Sequence, residues 1–228
     1  MEEIRYLNAP IQLYEGFLNN TRGCLQNIAA YALYVHLLKL EHGSQDEKNK
    51  AALKYYDIRS TAADKLINLG QELYDSIQPG SPMVGLKLSH WGEFLENDHS
   101  NFDKAVLLCY IALKSIICDR GYTKSVNNFM LARMDGKTHN IKSLDELSAE
   151  VRYYSTEYQL NKLKVALQKN WGLVYYAYYT RGFYYSFTMP IDSLALHVEK
   201  KRLSTWKKQN KYESDEARKK ALAQILKK

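Results

Sequence analysis

The sequence predicts a mainly α-helical protein that carries one β-hairpin and ends in a basic helical tail. Only 4 prolines and 11 glycines interrupt its 228 residues. Apolar residues recur at helical spacing along most of the chain, whereas an aromatic-rich stretch after Gly172 is typical of paired strands. With 46% hydrophobic and 25% charged residues, the composition is that of a folded globular protein.

The N-terminal part predicts a helical domain over residues 1–98. Four helices can start at residues suited to a helix N-terminus: Pro10, Thr21, Ser44, and Ser60 or Thr61. Gly43 can end the second of them. Residues 78–82, with the sequence QPGSP, are the clearest loop signal, and residues 89–96 predict one more short helix.

Residues 99–189 predict a second domain of three helices and a hairpin. Four candidate caps are spaced along it: Asn101, Thr123, Ser143 and Ser155. The first begins a nearly all-apolar helix that reaches about Cys118 and should be buried. The second begins a helix that Gly136 ends, and the third opens a capping box, S-L-D-E, ahead of residues 144–151. The last helix carries Leu160, Leu163, Leu167 and Trp171 in a single apolar stripe.

The hairpin is predicted from residues 173–179 and 183–187, joined by a turn at residues 180–182. Gly182 can supply the positive φ that such a turn needs. Pro190 closes the segment. Because an isolated hairpin is only marginally stable in water, this one must pack on the helices that precede it.

Three helices followed by a hairpin, over about residues 102–187, resemble a winged helix-turn-helix. The likeness rests on the buried helix at 105–117, the helix at 128–134, and the stretch 163–173, which ends in Trp-Gly-Leu where a recognition helix would meet its wing. Residues 137–154 are longer than the usual turn, so either they are an insertion or the helix at 144–151 is itself the second helix. More distantly, the chain resembles accessory regulators of bacterial mobile elements.

The resemblance implies that the last helix enters the major groove of double-stranded DNA. With its leucines buried, this helix should turn Asn161, Lys162, Gln168 and Lys169 outward. Lys164 lies nearer the apolar stripe and would reach out along its own stem. Asn and Gln can pair with adenine, Lys can contact guanine or phosphate, and Arg181 would contact DNA from the tip of the wing.

Residues 190–228 predict a basic helical tail, and its last thirty residues hold all of the net charge of +7. Residues 199–228 contain eleven Lys/Arg and four Asp/Glu, which suggests a polyanionic partner. Two tail helices are expected, one over residues 193–208 and one from Ser214. The tail residues expected to neutralise phosphates are Lys200, Lys201, Arg202, Lys207 and Lys208. The apolar tail residues could instead pack on the body or on a second copy of the chain, and both interpretations stay open.

Two alternative functions remain. The hairpin tyrosines could stack on the bases of RNA or single-stranded DNA, although cross-strand packing is the commoner role. The tyrosines concerned are Tyr175, Tyr176, Tyr178, Tyr179, Tyr184 and Tyr185. A winged helix can also serve as a protein-interaction scaffold, because fold alone does not fix function.

No catalytic pattern is present in the sequence: HExxH, GxxxxGK[ST], GxGxxG and GxSxG are all absent. The densest polar cluster, from His90 to His99, is interpreted as a solvated loop. We therefore expect no enzymatic activity, cofactor or metal. Three unpaired cysteines and the lack of a signal or membrane segment favour a cytoplasmic protein. The expected function is sequence-specific binding of double-stranded DNA in transcriptional or mobile-element regulation, with a possible homodimer and no membrane partner.

Overall fold

The computed structural model describes residues 4–58, 63–178 and 181–225. It is mostly helical, as the sequence predicts, and has two small antiparallel sheets where one hairpin was expected. The helices are α1 (Thr21–Lys39), α2 (Gln45–Tyr55), α3 (Ala63–Ser76), α4 (Leu88–Glu96), α5 (Asn101–Ile117), α6 (Asn127–Met134), α7 (Ala149–Arg152), α8 (Glu157–Asn170) and α9 (Ile191–Ile225). The strands are β1 (Tyr6–Pro10), β2 (Met83–Lys87), β3 (Thr123–Ser125), β4 (Val174–Tyr176) and β5 (Phe183–Ser186).

The first sheet replaces the helix expected to start at Pro10. Pro10 instead ends β1, which pairs antiparallel with β2 from Tyr6 opposite Lys87 to Pro10 opposite Met83. A short 3-10 turn over Ile11–Tyr14 follows. Leu7 and Ala9 are buried while Asn8 between them is exposed, which is the period of two that a strand produces. The helix prediction was wrong because this alternation is only five residues long and its pairing partner is distant in sequence.

Capping residues determine where the next helices begin. Asn20, rather than Thr21, accepts a hydrogen bond from the Gly23 N–H at the start of α1. Ser44 and Glu47 form a capping box at the start of α2, which confirms Ser44 as the cap. Ser60 and Thr61 lie outside the described residues. The next helix, α3, packs closely on α1.

The central helix is α5, most of whose residues are buried. Its N-cap is Ser100, which accepts from the Asp103 N–H, so the helix begins one residue earlier than expected. Around α5 a single cluster of buried side chains extends from Leu7 to Tyr185. The N-terminal and C-terminal parts of the protein therefore share a core, and a division at residue 98 stays a prediction.

The second sheet has the strand order β3-β5-β4. Its edge strand β3 corrects the prediction that Thr123 caps a helix: Thr123 lies opposite Tyr185, and Ser125 lies opposite Phe183. The helix starts later, at Asn127, after an N-cap at Val126. A three-residue strand has no recognisable pattern of its own, and pairing with β5 overrides its capping propensity.

The segment between α6 and α8 is only partly helical. Ser143 and Glu146 form the predicted capping box, but it opens a 3-10 turn over Leu144–Glu146 rather than a helix over 144–151. Buried Asp135 then accepts hydrogen bonds from the N–H and the hydroxyl of Ser148, at 3.1 and 2.5 Å. These bonds hold the chain extended at Ser148 before the single turn of α7. The N-cap of α8 is Thr156, one residue after the predicted Ser155.

The tail forms one continuous helix, α9, where two were expected. No glycine or proline lies between residues 191 and 225 to end it. At its start, Leu194 and Val198 are buried, so the first turns pack on the body. From residue 200 to residue 215 every side chain is exposed.

Candidate nucleic-acid interface

The helix α8 is anchored by the leucines that the sequence predicted. Leu160, Leu163 and Leu167 are all buried, and the latter two are fully so. Because a helix turns by about 100° per residue, these three positions fix which side of α8 faces outward. Trp171, at the end of the predicted stripe, is half-buried and packs against Tyr110.

We define the outer face of α8 as its exposed residues opposite the leucines: Tyr158, Asn161, Lys162, Val165, Gln168 and Lys169. Four of these were predicted from the sequence. Tyr158, 72% exposed, and Val165, 44% exposed, were missed. Placing every residue of the helix relative to the buried leucines would have found them, since apolar residues on a solvated face are the informative exceptions. Glu157, exposed in the first turn and one turn before Asn161, is the one carboxylate of α8, and no Asp or Glu occurs from residue 158 to residue 169.

Lys164 corrects the expectation that it reaches outward. Its side chain is 7% exposed, and its ammonium donates to Asn127 Oδ1 at 3.0 Å. The same ammonium lies 4.3 Å from the centre of the Phe183 ring. Burial lowers the pKa of Lys164 because the charged form loses its hydration. Lys164 therefore joins α8 to the start of α6 and to β5, and it does not belong to the outer face.

Lys162 lies at one edge of the outer face. Its ammonium is 4.7 Å from the centre of the Phe102 ring, a cation–π distance. Beneath it is an open hollow of about 420 Å³ that Phe102, Tyr153 and Gln159 help to line. Lys169, two helical turns further along, is exposed without such a contact in the described part of the chain. The two lysines thus give positive charge to both halves of α8.

Arg181 is exposed at the tip of the hairpin β4–β5, as predicted. The adjacent Gly182 has a φ of +85°, which confirms the expected positive φ. A Cβ atom at Gly182 would lie 2.2 Å from the carbonyl oxygen of Ser125, so the tip is packed directly against β3. A groove beside it is lined by Arg181, Lys124 and His139, and among the described residues no Asp or Glu contributes to that lining. Lys124 and His139 were not predicted from the sequence, because only the folding of β3 and of the loop after α6 brings them to the tip.

The basic tail starts against the same hairpin. The Tyr176 hydroxyl donates to Glu199 Oε1 at 2.8 Å, and Arg202 Nε donates to Glu199 Oε2 at 2.8 Å. These bonds lower the pKa of Glu199. Lys201 lies 5.9 Å from the centre of the Tyr184 ring. The predicted phosphate-binding residues of the tail are all exposed: Lys200, Lys201, Arg202, Lys207 and Lys208.

The hairpin tyrosines are mostly packed. Tyr185 is fully buried, and its hydroxyl donates to the Leu113 carbonyl at 2.7 Å. Tyr175, Tyr176 and Tyr184 are half-buried, and Tyr178 is 64% exposed. Tyr179 lies outside the described residues. The start of α9 contacts the sheet at Tyr176, through Glu199, and at Tyr184, through Lys201.

The prediction of a solvated loop for the polar cluster at 90–99 was wrong in part, because residues 90–96 belong to α4 and both histidines pack on aromatic rings. The His90 ring lies 4.6 Å from that of Trp171, and His99 stacks on Phe94 at 3.8 Å. Burial lowers the pKa of His90. Within the described residues no three His, Cys, Asp or Glu side chains lie close enough to hold a metal ion. Over the same residues, no helix is both long enough and apolar enough to cross a membrane.

Comparison with known proteins gives no match: no family model, curated protein or solved structure is similar to this chain. The site is therefore interpreted from its own residues.

Proposed function

We propose that residues 101–186 form a winged helix and that the chain binds double-stranded DNA with α8 and the hairpin β4–β5. The order of elements supports this fold: α5, β3 and α6 precede α8, and β4 and β5 follow it, with β5 central in the sheet. In a winged helix the last helix enters the major groove and the hairpin contacts DNA beside it.

The observation that carries the proposal is the outer face of α8. It combines exposed amides and lysines, with Glu157 in the first turn as the one carboxylate of α8, on a helix whose opposite side is fixed by three buried leucines. A helix can enter the major groove only with such a free polar face. Arg181 lies at the tip of the adjoining hairpin, and the basic residues of α9 begin at Lys200, directly after Glu199, which is bonded to Tyr176 of β4. Both can neutralise phosphates.

The packing of the hairpin favours duplex over single-stranded nucleic acid. A single-strand binder needs open aromatic faces on which bases can stack. Here the Tyr185 side chain is buried and the Tyr176 hydroxyl is bonded to Glu199. A role in transcriptional or mobile-element regulation would follow from sequence-specific duplex binding, and a protein scaffold is the alternative if no nucleic acid binds.

The test is fluorescence anisotropy with a labelled random-sequence duplex and the matched single strand. We expect the duplex to bind more tightly and its affinity to fall steeply with salt. The triple variant Lys162→Ala/Lys169→Ala/Arg181→Ala should weaken duplex binding. It should also make the salt slope shallower by about 0.9 for each phosphate that the protein no longer neutralises.

The matched control removes three exposed lysines from α1 and α2: Lys39→Ala/Lys50→Ala/Lys54→Ala. It changes the net charge equally but leaves the proposed interface intact, so duplex affinity should change much less. Equal losses of affinity in both variants would mean that only the overall charge matters. The absence of duplex binding at low salt would refute the proposal.

A further inference from the structure

We propose that α8 recognises A·T base pairs: Val165 contacts a thymine 5-methyl group, and Asn161 and Gln168 each pair with a separate adenine. This inference rests on the proposed duplex binding and specifies which base pair in the DNA α8 prefers. It is carried by the position and exposure of Val165 among amide side chains.

Val165 lies at the middle of the outer face. Asn161 precedes it by four residues and Gln168 follows it by three, which are the spacings of neighbours on one side of a helix. The Val165 side chain is 44% exposed, although the next residue but one on each side, Leu163 and Leu167, is fully buried. This arrangement fixes the valine on the side away from the core, where a helix in the major groove meets the base edges.

The side chains on this face match one type of base pair. In the major groove thymine alone presents a methyl group, and Asn or Gln can form two hydrogen bonds with adenine. Arg, the most frequent partner of guanine, is absent from α8, and so is any carboxylate after Glu157 that could accept from the cytosine amino group. Lys162 lies at the edge, over Phe102, whereas Lys169 follows Val165 by four residues and can contact guanine in a neighbouring base pair. The preference for A·T over G·C is therefore expected at the base pairs that Val165 and the two amides contact.

The first step of the test is selection of bound duplexes from a random 20-base-pair pool with the full-length chain. We expect the enriched sequences, once aligned, to share an A·T base pair at one position or more. Each thymine of the enriched duplex is then replaced in turn by uracil, which lacks only the 5-methyl group. At the contacted position the wild type should bind about fourfold more weakly, as expected for removal of one buried methyl group.

The decisive comparison is the same replacement with Val165→Ala. This variant should bind the thymine duplex more weakly than the wild type and lose nothing further with uracil, because the two changes remove the same interaction. Leu38→Ala, at an exposed apolar position on α1, is the matched control and should keep the wild-type fourfold weakening. Urea unfolding of each variant verifies that it is folded.

The outcomes separate the two proposals. If the pool does not bind at all, both the duplex-binding proposal and this inference fail. If the pool binds but enriches no A·T base pair, or if uracil weakens the wild type and Val165→Ala equally, the inference alone is overturned and duplex binding stands.

Discussion

Substituting Gly182 tests whether packing against β3 positions the hairpin tip. An alanine there must adopt a φ of +85°, which costs an L-residue about 1–2 kcal/mol. Its Cβ would also lie 2.2 Å from the Ser125 carbonyl oxygen and 2.9 Å from the Val126 side chain. The carbonyl belongs to the backbone of β3 and cannot rotate away, so the strands must separate. Overpacking of this kind costs a further 1–3 kcal/mol or so.

We therefore expect Gly182→Ala to lower the free energy of unfolding by about 2–5 kcal/mol. Gly172→Ala is the matched control, because Gly172 has a φ of +67° with no atom within 4 Å of its ideal Cβ. It should cost only the backbone term, about 1–2 kcal/mol. Urea denaturation followed by circular dichroism measures both. Gly182→Ala should also weaken duplex binding under native conditions, since Arg181 moves with the tip. Equal costs for the two variants would refute the tight packing at Ser125.

Two further predictions concern pH and the tail. Burial raises the pKa of Tyr185 above its usual value of 10. The neutral Tyr185 side chain therefore contributes fully to the free energy of unfolding below pH 10. That contribution is lost as the pH rises above 10, because the tyrosine ionises first in the unfolded chain. The decline in unfolding free energy between pH 9 and pH 11 should be shallower in Tyr185→Phe, and an unchanged slope would contradict the assignment. Deleting residues 203–228 should leave the free energy of unfolding nearly unchanged, because residues 203–215 are exposed and the packed Leu194 and Val198 remain. It should weaken duplex binding and reduce the salt slope, because Lys207 and Lys208 are lost. A large decrease in stability would instead show that the end of α9 packs on the protein.

Patterns confined to one helical segment were predictable from the sequence. The Ser44–Glu47 capping box at the start of α2 is a four-residue signal, and the leucine stripe of α8 repeats at helical spacing within one element. The outward positions of Asn161 and Gln168 followed from that stripe alone. The positive φ of Gly182 followed from its place in a turn.

Features that depend on distant partners were not predictable. The strand β3 exists because Ser125 pairs with Phe183, and nothing in the triplet Thr-Lys-Ser indicates this. Lys164 was expected to reach solvent, but Asn127, 37 residues earlier, accepts its hydrogen bond inside the protein. Lys124 and His139 line the groove beside the hairpin tip for the same reason: their neighbours there come from other elements.

The most direct test of the proposed interface is a titration of the ¹⁵N-labelled protein with the duplex, followed by amide chemical shifts. We expect the largest changes along the outer face of α8, at residues 158–169, and at the hairpin tip around Arg181, with little change in α1 to α3. Changes concentrated in α1 to α3, with α8 and the hairpin tip unaffected, would contradict the account.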